Sequence, residues 1–432
     1  MSTTDRDILR HLAARYRAHC DAPANHARVA AWYDRNALKP GRPLIVSDPE
    51  GSWPELVPEA TLQVQDPTLR STERWLRQKL HTIEVLQDDQ GHDACFPVSW
   101  RIDHGNFGFE IVKHHGDGRG SWKAEPPIKD LRKDLALLRH RQPSVDRVAT
   151  AADVERHERL FGDLLPIVPS PWLWWTDGIT IDVIDLIGLD RLMMAMMDEQ
   201  DELHNLMAWM RDERLAYTEW FAREGLLHPK NRGNHVGSGG MGYTHELPAA
   251  DHQPGTPYRF KDIWGFSESE ETVGVGPKQF AEFILPYQMP IISRYGLTQY
   301  GCCEGLERRI DHILKIPNLR RVSVSPWAKE TVMAEKLGRN IIYSRKPLPT
   351  LVCCGFNEQT IREDLRRTLA IAGNCQLEFI LKDTHTVENE PWRLARWVTI
   401  AKEEVDAFMT AGRVVTTTSE PAIEACAVGC GS

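Results

Sequence analysis

In the second half of the chain, short apolar stretches alternate with longer amphipathic ones at a regular spacing. The apolar stretches predict strands at 297–300, 319–325, 340–343 and 377–383. The amphipathic stretches predict helices at 329–337, 358–373 and 391–408. Strands and helices that alternate in this way indicate a parallel sheet covered by helices, either open or closed into a barrel. The chain is therefore predicted to have an α/β fold.

The first part of the chain has a different pattern, because helical stretches dominate it. A strand-like LIVSD at 44–48 interrupts them, and from about residue 91 short apolar runs begin to alternate with helices. The tail is composed of small and polar residues. We therefore predict a helical extension over 1–90, a catalytic domain over 91–412 and a disordered tail over 413–432.

Composition restricts the class of protein. The chain has 432 residues, which suits a single elaborated α/β barrel. Its 41% hydrophobic and 26% charged residues are ordinary for a globular protein, and its net charge of −9 gives no general attraction for nucleic acid or acidic membranes. The charged N-terminal stretch lacks the apolar core of a signal peptide, and no apolar run is long enough to cross a bilayer. We expect a cytoplasmic protein whose nine cysteines are reduced thiols or metal ligands.

The sequence YGCCE places two thiols and a carboxylate where a predicted strand ends. Cys302, Cys303 and Glu304 follow that strand, and the next helix is predicted to start near Leu306. In β/α folds the carboxyl ends of strands carry the chemistry. Thiolates beside a carboxylate suit a soft or borderline metal such as zinc, although buried cysteines also pack as small apolar side chains.

A second set of polar residues follows the last predicted strand. Alternation along that strand would put Asp383 and His385 on the same side, above an apolar layer. His385 is therefore a predicted metal ligand and Asp383 a predicted catalytic group. The alternative for His385 is a cap on the following turn. The pair Cys353 and Cys354 is a rival for the metal, but it lies in a loop.

Further candidates lie between residues 234 and 271. Glu268 and Glu270 follow an apolar stretch, so they are predicted ligands or proton carriers, although such acidic runs are usually solvated. The Gly-rich NHVGSGGMG holds His235 and lacks a phosphate-binding pattern. Glycine backbone allows close approach of a ligand, so we assign His235 and Trp264 to cofactor binding. The methionine-rich helix predicted at 192–225 is either core or a pliable docking face.

Four motifs resemble the uroporphyrinogen decarboxylase superfamily, and more narrowly its corrinoid-linked methyltransferase branch. They are PKQFAEFILPYQMPIISRYG at 277–296, the YGCCE turn, PNLRRVSVSPWA at 317–328 and LEFILKDTHT at 377–386. The resemblance implies a (β/α)8 TIM-type barrel with its pocket at the carboxyl ends of the strands. Methyltransferases of that branch hold zinc through a His-x-Cys strand end and a later cysteine. Here Tyr300 stands in place of that histidine, and the last strand offers Asp383 and His385 instead of a cysteine.

The resemblance implies a methyltransferase that moves a methyl group between a small methylated compound and a cobalamin-type corrinoid carrier. The compound would be of the methoxy, methylamine or methylthio type. Zinc at Cys302 and Cys303 would bind the heteroatom, and Glu268 or Glu304 would manage the proton. No Asp-x-His-x-x-Gly corrinoid motif occurs, so the corrinoid is expected on a separate protein or as free cofactor. The alternatives are a cofactor-independent decarboxylase and a non-catalytic binding subunit, and we allow for a homodimer.

Overall fold

The computed structural model describes residues 3–115 and 122–417, and it has an α/β fold. Its strands, numbered in chain order, are β1 (Leu44–Ser47), β2 (Phe96–Val98), β3 (Ile102–Asp103), β4 (Val112–His115), β5 (Trp122–Glu125), β6 (Ser144–Val145), β7 (Ile167–Pro169), β8 (Trp264–Ser267), β9 (Leu297–Tyr300), β10 (Leu319–Val324), β11 (Ile342–Arg345) and β12 (Gln376–Leu381).

The helices surround these strands and include two short π-helical segments, at Thr82–Leu86 and Phe280–Ile284. The α-helices are α1 (Thr3–Cys20), α2 (Pro23–Asn36), α3 (Trp53–Leu56), α4 (Arg70–His81), α5 (Leu131–Asp134), α6 (Arg147–Phe161), α7 (Thr180–Ile187), α8 (Leu189–Asp198), α9 (Gln200–Arg223), α10 (Pro277–Gln279), α11 (Leu285–Ile292), α12 (Ile310–Ile313), α13 (Glu330–Leu337), α14 (Thr350–Cys353), α15 (Glu358–Ala372) and α16 (Trp392–Thr417).

Six strands form one parallel sheet in the order β1-β12-β11-β10-β9-β8. The register pairs Ser267 with Tyr300 between β8 and β9, and it pairs Leu381 with Ser47 between β12 and β1. Every neighbouring pair is parallel. The carboxyl ends of all six strands therefore lie at one edge, and side chains that follow these ends are brought together.

Outside this sheet, β2 and β7 form a shorter parallel pair. Two further pairs, β3 with β6 and β4 with β5, are antiparallel. Hydrogen bonds link the flanking segments to the two outer strands of the sheet. The amide of Asp89 donates to Ile45 O at 2.8 Å, beside β1, and the amide of Asp177 donates to Phe266 O at 2.9 Å, beside β8. The assigned strands of the described residues do not form a closed ring.

The apolar core divides between the sheet and the N-terminal helices. The larger cluster lies between the sheet and its covering helices, and it includes Tyr300 of β9, Phe379 of β12 and Trp397 of α16. A separate cluster joins α1 and α4 to Phe96 of β2 and Phe161 of α6. The N-terminal helices therefore pack on β2, next to the main sheet.

Most strands and helices predicted in the second half are confirmed within a few residues, and the strand at 297–300 is confirmed at both ends. The predicted helix at 192–225 is interrupted at Glu199, which separates α8 from α9. The motif at 277–296 is largely helical and contains the π-helical segment Phe280–Ile284. Pro286 follows that segment and has no N–H to donate, which explains the local change in hydrogen bonding.

The predicted domain limits need correction at both ends of the chain. β1 lies within the predicted extension over 1–90, yet it pairs with β12 and is part of the main sheet. The predicted tail over 413–432 begins within α16, which continues to Thr417, and its remainder lies outside the described residues. Among the described residues, none of the helices has the length and apolar character needed to span a bilayer.

Candidate active site

The YGCCE turn requires a glycine at its second position. Gly301 has a φ of +92°, and a Cβ there would lie 2.5 Å from Leu306 Cδ1. Its amide donates to Ser267 O at 2.9 Å, which fixes the end of β9 against the end of β8. Only glycine adopts this backbone conformation without strain. The turn therefore aims the next two residues, Cys302 and Cys303, away from the strand direction.

Glu304 anchors this turn. Its side chain is buried, and its carboxylate accepts hydrogen bonds from the amides of Cys302 at 2.7 Å and Ser269 at 3.1 Å. Both oxygens are thus engaged by backbone donors from the ends of two neighbouring strands. The structure gives Glu304, predicted as a proton carrier, a clear role in holding the thiols in place.

The two thiols and a carboxylate converge at the edge of the sheet. The sulfur atoms of Cys302 and Cys303 lie 3.5 Å apart, and a carboxylate oxygen of Glu270 lies within 4.8 Å of both. The thiol of Cys303 also donates to Asp383 Oδ2 at 3.0 Å, across the sheet from β9 to β12. These residues come from the ends of three strands that are far apart in sequence.

The spacing of these groups fits a divalent metal. Two thiolates on a tetrahedral zinc lie roughly 3.8 Å apart, because each Zn–S bond is about 2.3 Å. The 3.5 Å between the sulfur atoms is close to that distance. Thiolate and carboxylate donors with room for a further ligand are also the donor set of catalytic zinc. Cys302, Cys303 and Glu270 could therefore hold zinc, with Asp383 next to it.

His385 lies outside this group. β12 ends at Leu381, and Asp383 has a φ of +58°, so the strand alternation that would put both side chains on one side does not continue. His385 is exposed, and a Cβ on Gly51 would lie 2.8 Å from its Nδ1. The imidazole therefore packs beside Gly51. Cys353 and Cys354 also lie outside the group, at the end of α14.

The neighbouring carboxyl groups differ in their protonation. Burial, together with the charges of Glu271 and Glu304, raises the pKa of Glu268 well above its usual value, and only 2% of the residue is exposed. Glu270 is exposed at the rim, yet partial burial of its carboxyl group and the nearby Glu304 raise its pKa to about 6. Burial therefore favours the neutral form of Glu268, whereas Glu270 is mostly ionised at neutral pH.

The thiols themselves are protonated in this environment. The hydrogen bond with Cys302 and burial raise the pKa of Cys303 far above its usual value. The same hydrogen bond lowers the pKa of Cys302, but burial and the charges of Glu270 and Glu304 outweigh it, so that the net pKa is raised. A bound cation would reverse this balance, since a coordinating thiol is deprotonated.

Two buried lysines also lie at this edge of the sheet, and the sequence pattern did not predict either of them. Lys346 follows β11, and burial lowers its pKa to about 8. Its Nζ donates to Ser238 O and to Ser344 Oγ. Lys382 follows β12 and forms ion pairs with Asp48 and Glu50. The available signal was their position directly after a strand, as for the cysteines.

The Gly-rich segment 234–242 runs against the sheet. The hydroxyl of Ser238 donates to Gly301 O at 3.0 Å, so this segment supports the YGCCE turn. His235 contacts Gly239 O at 2.9 Å through Nδ1 and lines a polar cavity. Trp264, predicted to bind a cofactor, is fully buried and donates to Gly242 O at 2.9 Å. It belongs to the packed core, where a bulky cofactor has no access.

The methionine-rich helices place methionines both in the core and at the surface. Met196, Met207 and Met210 are buried in the main core. Met194 and Met197 are exposed, by 61% and 73%. The helix period puts methionines on both faces. The core role is therefore confirmed for the buried methionines, and a docking role for the exposed ones stays a prediction.

Comparison with known proteins supports the fold. No family model matches the chain, and no curated protein matches it. Among solved structures, the chain is similar to a methyltransferase from Methanosarcina mazei, with a TM-score of 0.50 and 13% sequence identity. The match covers 88% of this chain and 99% of that one. At this level of identity the likeness concerns the fold, which extends over nearly the whole of the described chain.

Proposed function

We propose that this protein is a methyltransferase that moves a methyl group between a small methylated compound and a corrinoid carrier. The observation that carries the proposal is the convergence of Cys302, Cys303 and the Glu270 carboxylate at the carboxyl edge of the sheet. Soft thiolates on a metal are the ligands expected where a heteroatom must be activated for methyl transfer. The fold shared with the methyltransferase from Methanosarcina mazei is compatible with this class.

We further propose that the parallel strands belong to one (β/α)8 barrel of the uroporphyrinogen decarboxylase type. Six of them form the continuous sheet, and β2 with β7 would close it between β1 and β8. The hydrogen bonds of Asp89 to Ile45 and of Asp177 to Phe266 support this closure, because they extend both outer strands towards that pair. The active site would then lie at the mouth of the barrel, as in other folds of this kind.

Zinc would be held by Cys302, Cys303 and Glu270, with Asp383 as a further ligand or as a partner of Cys303. When bound, zinc lowers the pKa of a thiol or alcohol and makes its heteroatom a better methyl acceptor or donor. Glu304 holds the turn that carries both cysteines. His385, which the sequence predicted as a ligand, is not in the set that we propose.

Glu268 is the proposed proton donor. It is buried close to Glu271 and Glu304, and its raised pKa favours the protonated form. A protonated carboxyl in the pocket can supply the proton that the heteroatom takes up once its methyl group has left. Glu270 lies nearer to solvent and, with a pKa of about 6, can return protons to water.

The corrinoid is proposed to arrive on another protein or as free cofactor, and it supplies the cobalt that carries the methyl group. In place of the buried Trp264, an exposed aromatic pair offers a surface for a large flat cofactor. The rings of Trp172 and Trp175 stack 5.9 Å apart at 15°, and Trp175 contacts Phe266 of β8. Their exposed fractions are 40% and 46%. This pair lies near the end of the strand that leads to Glu268.

The test is methylation of free cob(I)alamin, which is measured through the change in its visible spectrum. The purified protein, supplied with zinc, would be incubated with a panel of methoxy, methylamine and methylthio compounds. We expect methylcobalamin to form with at least one class of compound. Release of carbon dioxide from a carboxylic acid without any methyl transfer would contradict the proposal and favour a decarboxylase.

A further inference from the structure

A polar cavity of about 250 Å³ lies between the N-terminal helices, the β2–β7 pair and the Gly-rich segment. Its volume is below the range of roughly 300–1,000 Å³ that is typical for drug-sized ligands, so it suits a compact molecule. Aromatic side chains form part of its wall and charged side chains face it. The lining includes Trp75, Lys79, Asp93, Trp172, Arg232 and His235.

The cations of this cavity have few partners. In the ranges 3–115 and 122–417, the side chains of Lys79 and Arg232 make no hydrogen bond or ion pair, although Lys79 Nζ lies 5.7 Å from the centre of the Trp75 ring. The acidic Asp93 has both oxygens engaged, by the amide of Gly233 at 2.8 Å and by the hydroxyl of Tyr243 at 3.2 Å. The cavity therefore holds two cations and one carboxylate that is already hydrogen-bonded.

The histidines around the cavity do not add to this charge. Burial lowers the pKa of His92, His228 and His235 below the usual value, so these side chains are neutral at neutral pH. Burial also lowers the pKa of Lys79, and the negative charges of Asp48, Asp93 and Asp88 offset only part of that effect. A buried cation without a hydrogen-bond acceptor is costly, and an anion placed beside it would offset that cost.

One wall of the cavity belongs to the segment that supports the thiol turn. His235 lines it, and Ser238 stands three residues further along the same segment, within about 11 Å even for a fully extended backbone. The Ser238 hydroxyl donates to the carbonyl of Gly301, the residue directly before Cys302. A molecule that extends from Lys79 past His235 would therefore point towards the turn that carries the two thiols.

We propose that this cavity binds the carboxylate group of a small methylated carboxylic acid, with Lys79 as its counter-ion. The aromatic wall at Trp75 would pack against the carbon skeleton, and the methylated heteroatom would face the thiols. This inference rests on the proposed methyltransferase function, since it names the substrate class of the same site. It also assigns a function to the N-terminal helices, because Lys79 belongs to α4.

Direct binding tests the inference without any methyl transfer. Titration calorimetry would compare 4-methoxybenzoate with its neutral amide, 4-methoxybenzamide. A hydrogen-bonded charge contributes about 1.5–3 kcal/mol, which corresponds to a preference for the acid of about tenfold or more. The inference would be overturned if the wild-type protein bound acid and amide equally well, and that comparison requires no variant.

Variants then assign the preference to Lys79. Lys79→Met is expected to weaken binding of the acid about tenfold and to leave binding of the amide unchanged, whereas Lys79→Arg keeps most of the preference. The matched control is Lys39→Met, since Lys39 is exposed and pairs only with Asp34. Unchanged binding of the acid by a folded Lys79→Met protein would refute the role of Lys79.

The two proposals fail in distinguishable ways. If the acid binds through Lys79 but no compound methylates cob(I)alamin, the anion site stands and the methyltransferase function fails. If neutral methoxy, methylamine or methylthio compounds methylate cob(I)alamin and the acid shows no preferential binding, the function stands and the anion site fails.

Discussion

The carboxyl group of Glu268 lies at the end of β8 and is almost completely buried. Because its raised pKa favours the neutral form, replacing it by the neutral and similarly shaped glutamine removes little except the transferable proton. We expect Glu268→Gln to lower turnover by about 10²–10⁴-fold, the usual effect of losing a general acid. The melting temperature should change by no more than about 2 °C.

The control for this variant is Glu282→Gln, since Glu282 is exposed on the helical segment after β8. It should leave both turnover and melting temperature unchanged. Near-normal turnover of Glu268→Gln, measured as methylcobalamin formed per minute, would show that Glu268 does not carry the proton.

Strand alternation predicted that Asp383 and His385 lie on the same side, but the observed backbone places them apart. Asp383 accepts a hydrogen bond from Cys303 at 3.0 Å, whereas His385 is exposed beside Gly51. We expect Asp383→Asn to weaken zinc binding by about 10–100-fold, because it removes a charge next to a ligand. His385→Ala should leave zinc affinity within about twofold of the wild type. Competition with a chromogenic chelator measures both, and the opposite order would restore His385 as the ligand.

At the scale of elements, the Gly-rich segment connects the core to the site. A Cβ on Gly240 would lie 2.4 Å from two ring atoms of Trp32, and Trp32 is fully buried. We expect Gly240→Ala to lower the free energy of unfolding by about 1–3 kcal/mol through overpacking. Chemical denaturation of the wild type and the variant measures this difference.

Gly41→Ala is the control, because a Cβ there meets no atom within 4 Å. Its free energy of unfolding should stay within about 1 kcal/mol of the wild type. Equal stability of the two variants would mean that the Gly-rich segment does not pack as tightly as described.

The strands that lead to the site could be predicted because they are short, apolar and bounded by turns. The predicted strand at 297–300 and its YGCCE turn are confirmed, and so is the helix that begins at Glu358. The end of β12 was placed two residues too late, since a positive φ at Asp383 leaves no trace in an apolar pattern. Because of that error, His385 was predicted to be a metal ligand.

Contacts between distant residues could not be predicted. The convergence of Glu270 with Cys302 depends on the register of β8 and β9, and the contact of Cys303 with Asp383 spans the sheet. Lys346 and Lys382 resemble ordinary surface lysines in sequence, and only their burial distinguishes them. Apolar patterning indicates which residues follow a strand, but it does not indicate which strands are neighbours.

At the scale of the whole molecule, the N-terminal part belongs to the same sheet as the candidate site. β1 is an outer strand of the main sheet, and Asp48 at its end pairs with Lys382 from β12. Helix α4 carries Lys79 into the polar cavity. The predicted separation at residue 90 failed because LIVSD is too short to reveal its partner strand. Removing residues 1–90 would therefore disrupt the sheet as well as the cavity.

The central claim is that zinc binds to the thiols at the edge of this sheet. The most direct test is the zinc content per chain, measured by elemental analysis of the wild type and of the double variant Cys302→Ser and Cys303→Ser. The control is Cys353→Ser with Cys354→Ser, the cysteine pair at the end of α14. We predict about one zinc per chain in the wild type and the control, and almost none in the first variant, because serine is a poor zinc ligand. Absence of stoichiometric zinc from the wild type, or equal zinc in all three proteins, would contradict the claim.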